Sequence, residues 1–320
     1  MSGIGTSYHA AIVGSYLLRL AGADAWAVRS FEFVQYPQPL RADDVVIVIS
    51  HRGSKTYGAM AIQRAQEAGV ATIGITGKNT KMQGADQTIE TVEQDPSSTH
   101  SISYTGTLTR LAQLAVQLAK AHALTEQAQR LEQGLAQVPT LMDHMLSHEE
   151  SIRTVAQEAI AHDRRLYFVG AGPNAATAPE GALKTKESAY VTTEGFELEQ
   201  AIHGPQVAFE IEDVIIPISV RGAAQERMRD FLLAQSEIGS HVWLIGTAPD
   251  EETTTLLQRA NWQAFAIGSD SDFLEELTPL LTVVPLQLLA NFLAIARGTN
   301  ADSFRLEQDA YKRASARFRL

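Results

Sequence analysis

Cysteine is absent from the sequence, and its absence excludes several kinds of protein. None of the 320 residues can form a disulfide, attack a substrate as a thiolate, or bind zinc or an iron–sulfur cluster through sulfur. The N-terminal residues also lack the basic region and apolar run of a secretory leader. Both absences are typical of a cytosolic protein, and we expect a cytoplasmic location.

Positive charge is scarce as well. The 26 lysines and arginines are outnumbered by 37 aspartates and glutamates, which gives a formal net charge of −11 at pH 7. Such a surface repels nucleic acid and anionic membranes, and the sequence has neither a basic patch nor a helix-turn-helix pattern. We therefore predict a small-molecule ligand, no nucleic-acid or membrane partner, and local groups to hold any phosphate.

Long hydrophobic runs are nearly absent too. The longest, residues 277–296, has about the length of a membrane span, but it contains Pro279, Pro285, Gln287 and Asn291. These residues favour a core segment over a membrane span. We predict a buried strand from Leu280 to Val284 that leads into a packed helix.

The remaining composition, with 45% hydrophobic and 20% charged residues, is that of a globular chain long enough for two domains. Short β-branched runs alternate with helical periodicity, which predicts an α/β fold with parallel sheets covered by helices on both faces. Residues 102–162 are rich in Ala, Gln and Leu and predict long helices, with a break at Pro139. The predicted strands are Val45 to Ile49, Thr72 to Ile75, Gln87 to Thr91, Leu166 to Gly170, Val214 to Ser219, Val242 to Ile245 and Ala264 to Ile267.

An internal repeat indicates that the two domains share one topology. Three pairs of segments correspond: GIGTS at 3–7 with GAGPN at 170–174, ISHRGS at 49–54 with ISVRGA at 218–223, and EAG at 67–69 with EIG at 237–239. The offset is nearly constant and far too long for a solenoid. Ligands in open α/β sheets bind beyond the carboxyl ends of strands, and we expect the Gly3 turn, residues 50–54 and the Gly170 turn to lie there.

The segment EGALKTKE, residues 180–187, carries the most chemistry. Glu180, Lys184 and Glu187 are spaced four and three residues apart and would share one face of a helix. The preceding strand and glycine turn could cradle an anion at the start of that helix. Ordinary ion pairs on a solvated helix have the same spacing, so the spacing alone leaves that alternative open.

The sequence resembles the tandem sugar-isomerase (SIS) domain family over nearly its whole length; a well-known member is the isomerase half of glucosamine-6-phosphate synthase. The resemblance rests on GTSYHA at 5–10, EGALKTKE at 180–187, HGP at 203–205, and VPLQLLA at 284–290 before Gly298-Thr299. It implies two flavodoxin-like, doubly wound three-layer domains. We expect a first SIS domain at 1–125, a helical linker at 126–150, a second SIS domain at 151–298, and a tail at the active site, 299–320.

The resemblance also implies roles for three residues. Glu187 would be the base that moves a proton between C1 and C2 of an open-chain sugar phosphate, Lys184 the cation near the developing oxygen, and His203 the acid–base group for ring opening. In the family this histidine usually reaches the neighbouring subunit's site, which implies a homodimer. Proton transfer beside a carbonyl needs a carboxylate and donor groups, and we expect no cofactor and no metal.

The resemblance places the sugar phosphate on hydroxyls and backbone amides of the first domain. The family's Ser-x-Ser-Gly-Glu-Thr loop reads SHRGSKT here, so Arg52 and Lys55 either contact phosphate or only balance charge at the rim. Glu32 either lines the site or is a surface charge, and we expect His9, His51, His100 and His241 to be structural or surface residues. The candidate binding residues are Gly5, Thr6, Ser7, Ser50, Arg52, Ser54, Thr56, Ser101, Ser103, Thr105 and Glu180.

Three departures from the family limit the function. There is no glutaminase domain and no cysteine to attack glutamine, so we exclude a self-sufficient glutamine-dependent synthase. Asp309 stands where the synthase tail has its Schiff-base lysine; Lys312 is either a substitute or a solvated lysine. The chain begins at Met1 almost inside the first glycine turn, so we expect either that the opening strand is missing or that the true start lies upstream.

The predicted activity is that of a stand-alone enzyme on an amino sugar phosphate. Our first hypothesis is an isomerising deaminase that converts glucosamine 6-phosphate to fructose 6-phosphate and ammonia. A fructosamine-6-phosphate deglycase would use the same groups. A non-catalytic sugar-phosphate sensor is the alternative of a different class, but it would have no need for Glu187, Lys184 and His203 together.

Overall fold

A computed structural model describes residues 1–247, 251–268 and 273–318, which form two compact units. Unit 1 comprises Met1–Glu132 together with the C-terminal residues from Arg305, and unit 2 comprises Gln133–Phe304. The last two residues of the predicted tail lie outside the described ranges. Each unit contains one five-stranded sheet, and all of its strand pairs are parallel.

Unit 1 alternates strands and helices from its first residues. Its elements are β1 Ser2–Gly3, α1 Thr6–Leu20, β2 Val28–Arg29, α2 Ser30–Gln35, β3 Val45–Ile49, α3 Thr56–Glu67, β4 Ala71–Thr76, β5 Gln87–Glu90 and α4 Ile102–Ala121. Helix α5, Thr125–Leu146, carries the chain from unit 1 into unit 2, and α12, Asp309–Ser315, lies in the C-terminal part of unit 1.

Unit 2 repeats the alternation. Its elements are α6 Glu149–Ala161, β6 Leu166–Gly170, α7 Thr177–Ala189, β7 Thr193–Glu197, α8 Leu198–Ile202, β8 Val214–Ser219, α9 Gln225–Ile238, β9 His241–Gly246, α10 Glu251–Leu256, β10 Trp262–Ala266 and α11 Pro279–Arg297. Short 3-10 helices occupy Gly172–Ala175, Pro205–Ala208 and Glu275–Leu277.

The two sheets have the same strand order. It is β2-β1-β3-β4-β5 in unit 1 and β7-β6-β8-β9-β10 in unit 2, which is the flavodoxin-like order 2-1-3-4-5 in both. The predicted α/β fold of two doubly wound domains is therefore confirmed. In this order the strands are added first to one side of the first strand and then to the other, and the loops after the first and third strands flank a crevice where ligands bind in such sheets.

Apolar strands and helices form a core on both faces of each sheet. In β8 the residues Val214 to Ile218 are buried, as expected for a central parallel strand covered on both sides. The β8–β9 ladder pairs Val214, Ile215, Ile218 and Ser219 but skips the two residues between. Pro217 explains the gap, because a proline has no N–H to donate to a neighbouring strand.

Two sequence predictions are wrong. The predicted strand Leu280 to Val284 belongs to helix α11, which packs against α6 and α7 and is apolar nearly all round. A helix buried on most sides loses its 3.6-residue periodicity and resembles a buried strand in sequence. Pro139 does not break α5, which continues to Leu146, and Val138 and Met145 on one face of that helix are both buried.

Strands that are short or weakly apolar were not predicted, or were predicted with different bounds. Strands β2 and β7 were not predicted, and β10 begins two residues earlier than predicted. We expected either a missing opening strand or a start further upstream. An opening strand is present as the two-residue β1, which pairs with both β2 and β3. Within the described ranges, one helical segment, Glu275–Arg297, is long and apolar enough to cross a membrane, and 72% of its apolar window is buried in the fold, as in a core helix.

Candidate active site

Three charged side chains of helix α7 meet in the interior of unit 2. Lys184 Nζ lies 2.6 Å from Glu187 Oε2 and 3.6 Å from Glu180 Oε1. The side chains of Lys184 and Glu180 are 1% and 0% exposed, whereas that of Glu187 is 20% exposed. They share one helix face as the spacing predicts, and their burial is not that of ordinary ion pairs on a solvated face.

Packing against α11 holds this helix in place. Gly181 lies so close to β6 and α11 that a methyl group there would meet Leu286 at 2.8 Å and Phe168 at 3.1 Å. The Ser188 hydroxyl contacts the carbonyls of Lys184 at 2.8 Å and Ala290 at 2.9 Å, and so joins α7 to α11. These contacts hold α7 in place against β6 and α11.

The electrostatics of the cluster keep its lysine charged. Burial by itself would lower the pKa of Lys184, but the adjacent carboxylates of Glu180 and Glu187 outweigh that effect and leave the pKa raised. The ammonium group therefore fixes the Glu187 carboxylate through a short charged hydrogen bond. One carboxylate is thus presented toward solvent by a buried cation, an arrangement suited to a positioned general base.

His203 lies apart from this cluster in the single chain. It follows α8 on the surface of unit 2, and its side chain is 69% exposed. Its Nδ1 lies 2.9 Å from the Glu199 carbonyl and 3.1 Å from the Glu199 carboxylate. The structure therefore does not bring His203 together with Glu187 by a hydrogen bond or ion pair among the residues it describes.

Unit 1 contains a small cavity of about 30 Å³, which we call the first crevice, beside the loops that follow β1 and β3. Gly5 has a positive φ of 56° and precedes α1, whose first residues reach the crevice. On the opposite side of the first crevice, the first two turns of α4 contribute Ser103, Tyr104 and Thr107. The lining residues are Thr6, Ser7, Ala10, His51, His100, Ser103, Tyr104 and Thr107.

Buried polar atoms make this region a candidate binding site. Ser50, at the end of β3, and Ser103 are 5% and 3% exposed. Across the described part of the chain, their hydroxyls and His51 Nε2 have no hydrogen-bond partner. A buried hydroxyl without a partner costs about 1–3 kcal/mol, and a phosphate oxygen would accept such donors.

Other candidate binding residues lie outside the lining of the first crevice. The loop that leads into α3 exposes Arg52 and Ser54, and Thr56, the first residue of α3, is exposed as well. The Thr105 hydroxyl donates to the Ile102 carbonyl of its own helix. The Ser101 N–H donates to Asp95 at the start of α4. Burial and the nearby charge of Arg52 lower the pKa of Lys55. Lys312 and Glu32 are exposed.

His51 and His100, which we expected to be structural or surface residues, lie close together in unit 1. Their rings lie 5.9 Å apart, centroid to centroid, and both line the first crevice. Burial lowers the pKa of His51. A single histidine carries no periodic signal, so the sequence offered only the position of His51 beside Ser50 as an indication.

Comparison with known proteins identifies a family for the first part of the chain and relatives for nearly all of it. Residues 1–123 match the family model of the SIS domain. The chain is 32% identical over 308 residues to the isomerizing glutamine–fructose-6-phosphate aminotransferase of Gloeobacter violaceus, and 30% identical over 306 residues to that of Thermococcus kodakarensis. The chain therefore contains an SIS domain, at residues 1–123. Each match covers 93% of this SIS protein and 49% of the relative, so the chain spans about half the length of the curated relatives it matches.

Solved structures share the fold of this SIS protein. The C-terminal domain of the glucosamine-fructose-6-phosphate aminotransferase of Francisella tularensis superposes with a TM-score of 0.84 at 21% identity, over 94% of this chain and 84% of that one. The glucosamine-6-phosphate deaminase of Thermotoga maritima gives 0.71 at 19% identity, over 94% and 86%. The tagatose-6-phosphate ketose/aldose isomerase of Escherichia coli gives 0.74 at 15% identity, over 95% and 83%.

Two of the sequence segments that carry the resemblance, residues 284–290 and Gly298-Thr299, have a structural role at helix α7. Gly298 ends α11 with a positive φ of 72°, and the Thr299 hydroxyl donates to the Ser188 carbonyl at 2.9 Å. Ala290, in the other string, supplies the carbonyl that Ser188 contacts. In this SIS protein both segments therefore make hydrogen bonds to Ser188, near the end of α7, the helix that carries Glu187.

Proposed function

We propose that this SIS protein is an isomerising deaminase that converts glucosamine 6-phosphate and water to fructose 6-phosphate and ammonia. The observation that carries the proposal is the Glu187 carboxylate, partly exposed and held by the buried ammonium of Lys184. A sensor that only binds a sugar phosphate has no use for a base fixed in this way. The matched relatives are named as isomerizing aminotransferases of fructose 6-phosphate.

In the proposed reaction Glu187 moves one proton. It removes the proton from C2 of the open-chain amino sugar while the C1 oxygen gains a proton from solvent, which gives an enolamine across C1 and C2. The same carboxyl group returns the first proton to C1 while the amino nitrogen loses a proton to solvent, which leaves an imine at C2, and water hydrolyses this imine to the ketone and ammonia. Lys184 keeps the carboxylate oriented and ionised, since its charge favours the anionic form.

The phosphate is proposed to bind in the first crevice. The hydroxyls of Ser50 and Ser103, which lack partners within the described ranges, would become satisfied on binding. Thr6 and Ser7 belong to the first turn of α1, where free N–H groups and the helix dipole favour an anion. Local donors of this kind allow a chain with a net charge of −11 to bind a phosphate.

His203 is proposed to assist ring opening in a homodimer. Its 69% exposed side chain on the surface of unit 2 is available to a second subunit. We further propose a cytoplasmic location. Lys312 is exposed in α12, and its N–H donates to the Gln308 carbonyl; we assign it no step.

The test is release of ammonia and fructose 6-phosphate from glucosamine 6-phosphate by the purified protein. Glu187→Gln keeps the shape of the side chain and removes the base, so we expect turnover to fall by about 10²–10⁴-fold. Lys186→Gln, on the exposed face of the same helix, is the matched control and should stay within about 3-fold of wild type. No release by the wild-type protein, with release of an amino acid from a fructosamine 6-phosphate instead, would replace the deaminase with a deglycase.

A further inference from the structure

The duplicated topology gives unit 2 a second crevice. It lies beside the loops after β6 and β8, which correspond by strand order to the loops after β1 and β3 that flank the first crevice. The internal repeat agrees, because GAGPN and ISVRGA in unit 2 match GIGTS and ISHRGS in unit 1. We call this location the second crevice.

The second crevice contains a carboxylate of the chain itself. The Ala223 N–H donates to Glu275 Oε2 at 3.3 Å. A methyl group on Gly222 would overlap that carboxylate, and one on Gly172 would lie 3.0 Å from Glu275 Oε1. The side chain of Glu275 therefore contacts both loops that flank the second crevice.

Hydrogen bonds close the rest of the second crevice. Asn174, which corresponds to Ser7 in the repeat, donates from Nδ2 to Thr278 Oγ1 at 2.8 Å and accepts at Oδ1 from Thr282 Oγ1 at 2.7 Å. All three side chains are at most 1% exposed. In unit 1 the corresponding Ser7 and the start of α4 line an open cavity.

Glu275 is not placed there by an attractive charge. Burial raises the pKa of its carboxyl group, the neighbouring Glu276 acts in the same direction, and the Ala223 N–H only partly opposes them. Within the described ranges Glu275 makes no salt bridge. A half-buried carboxylate without a cation does not contribute to stability, so a role other than stability is the better explanation.

We propose that Glu275 plugs a second anion crevice and excludes phosphate-bearing ligands from unit 2, so that each chain binds a phosphate only in the first crevice. Without the plug, the Ala223 N–H that now donates to Glu275, the positive end of the α9 dipole and the exposed Arg221 would bind an anion. This inference is independent of the proposed reaction.

The test counts inorganic phosphate sites by calorimetric titration at pH 7. We expect Glu275→Ala to bind one more phosphate per chain than wild type, and the extra site should persist when Ser103→Ala is added to weaken the first crevice. Glu276→Ala removes the adjacent carboxylate and should match wild type. An unchanged number of sites in Glu275→Ala, or an equal gain in Glu276→Ala, would overturn the proposal.

A wild-type protein that binds no phosphate, beside a Glu275→Ala protein that binds one, would refute the phosphate site of the first crevice and leave the plug intact. If Glu275→Ala does not fold, Glu275→Asp withdraws the carboxylate by one carbon and takes its place in the titration. As an independent check, Gly222→Ala should lower the Tm by roughly 3–6 °C in wild type and by less in Glu275→Ala. Equal losses in both backgrounds would show that the carboxylate does not occupy the second crevice.

Discussion

Lys184 is the residue on which the candidate active site most depends. Two carboxylates of one helix, Glu180 and Glu187, lie within 4 Å of its ammonium group, and only Glu187 has appreciable exposure. Without the lysine, these carboxylates would sit in the protein interior as uncompensated like charges. The same residue therefore supports both the fold of unit 2 and the ionised state of the proposed base.

Lys184→Met should be strongly destabilising. The change keeps most of the side-chain volume, but it leaves two buried or half-buried carboxylates without a cation, and breaking such a buried pair costs about 3–5 kcal/mol. Urea denaturation would measure the loss, Glu180→Gln in the same chain should restore part of it, and Lys186→Met should change the free energy of unfolding by less than about 0.5 kcal/mol. A Lys184→Met protein as stable as wild type would refute this account of the cluster.

The pH dependence of stability follows from the same residue. Because the pKa of Lys184 is raised in the folded protein, its contribution to stability is complete below the ordinary lysine pKa of 10.5 and is lost as pH rises through the folded pKa. Wild type should lose this contribution above about pH 10.5, and Lys184→Met should not.

Residue spacing predicted the shared face of the cluster but not its burial. The i, i+4 and i, i+3 pattern of residues 180–187 places three side chains in one row on any helix. Burial of that row depends on α11, about 100 residues later in the sequence, and no local pattern specifies that packing. The closeness of the His51 and His100 rings depends in the same way on loops that come together only in the folded unit.

At the scale of elements, the two crevices depend on glycines that end the first strand of each unit. An added methyl group at Gly3 would overlap the backbone of Ser7, and one at Gly170 would overlap the backbone of Asn174. In both units the chain therefore turns back tightly onto the end of its strand before the next helix. This close approach explains why the glycines recur in the internal repeat.

Gly170→Ala should destabilise the protein by about 2 kcal/mol or more, because backbone atoms cannot move aside as a flexible side chain can. Gly58→Ala, inside α3, is the matched control: its added methyl group would lie 3.7 Å from the nearest atoms, which belong to Ser50 and Val48. It should stabilise the protein by up to about 1 kcal/mol. Thermal denaturation of both variants compares them, and equal effects of the two substitutions would contradict the close-approach argument.

Strands were predictable where they are β-branched and buried on both faces. Val45–Ile49, Leu166–Gly170 and Val214–Ser219 match their predicted bounds because a central parallel strand is a continuous apolar run. Strand β7, Thr193–Glu197, has the sequence TEGFE and lacks such a run. The apolar helix α11 has one, and it was therefore predicted in part as a strand.

At the scale of the whole molecule, a duplicated fold is used in two different ways. Unit 1 has an open crevice with buried hydroxyls, whereas unit 2 has a filled crevice and a buried charge cluster. The repeat predicted the shared topology. It did not predict the difference, since that depends on a few side chains such as Asn174 and Glu275.

Subunit complementation tests the proposed homodimer. If His203 acts in the neighbouring subunit's site, mixed dimers of His203→Ala and Glu187→Gln subunits contain one site with both groups intact. We expect such mixtures to recover up to about half of the wild-type activity per mixed dimer, although each variant alone is nearly inactive. Activity that stays at the level of the separate variants after subunit exchange would refute the shared site.

The most direct test of the central claim is release of ammonia and fructose 6-phosphate from glucosamine 6-phosphate by wild type and Glu187→Gln. The account predicts equal amounts of the two products from wild type and about 10²–10⁴-fold slower release from the variant. Stoichiometric release that persists in Glu187→Gln would contradict the role of Glu187. No release from wild type, with clear thermal stabilisation by the same compound, would contradict the deaminase itself.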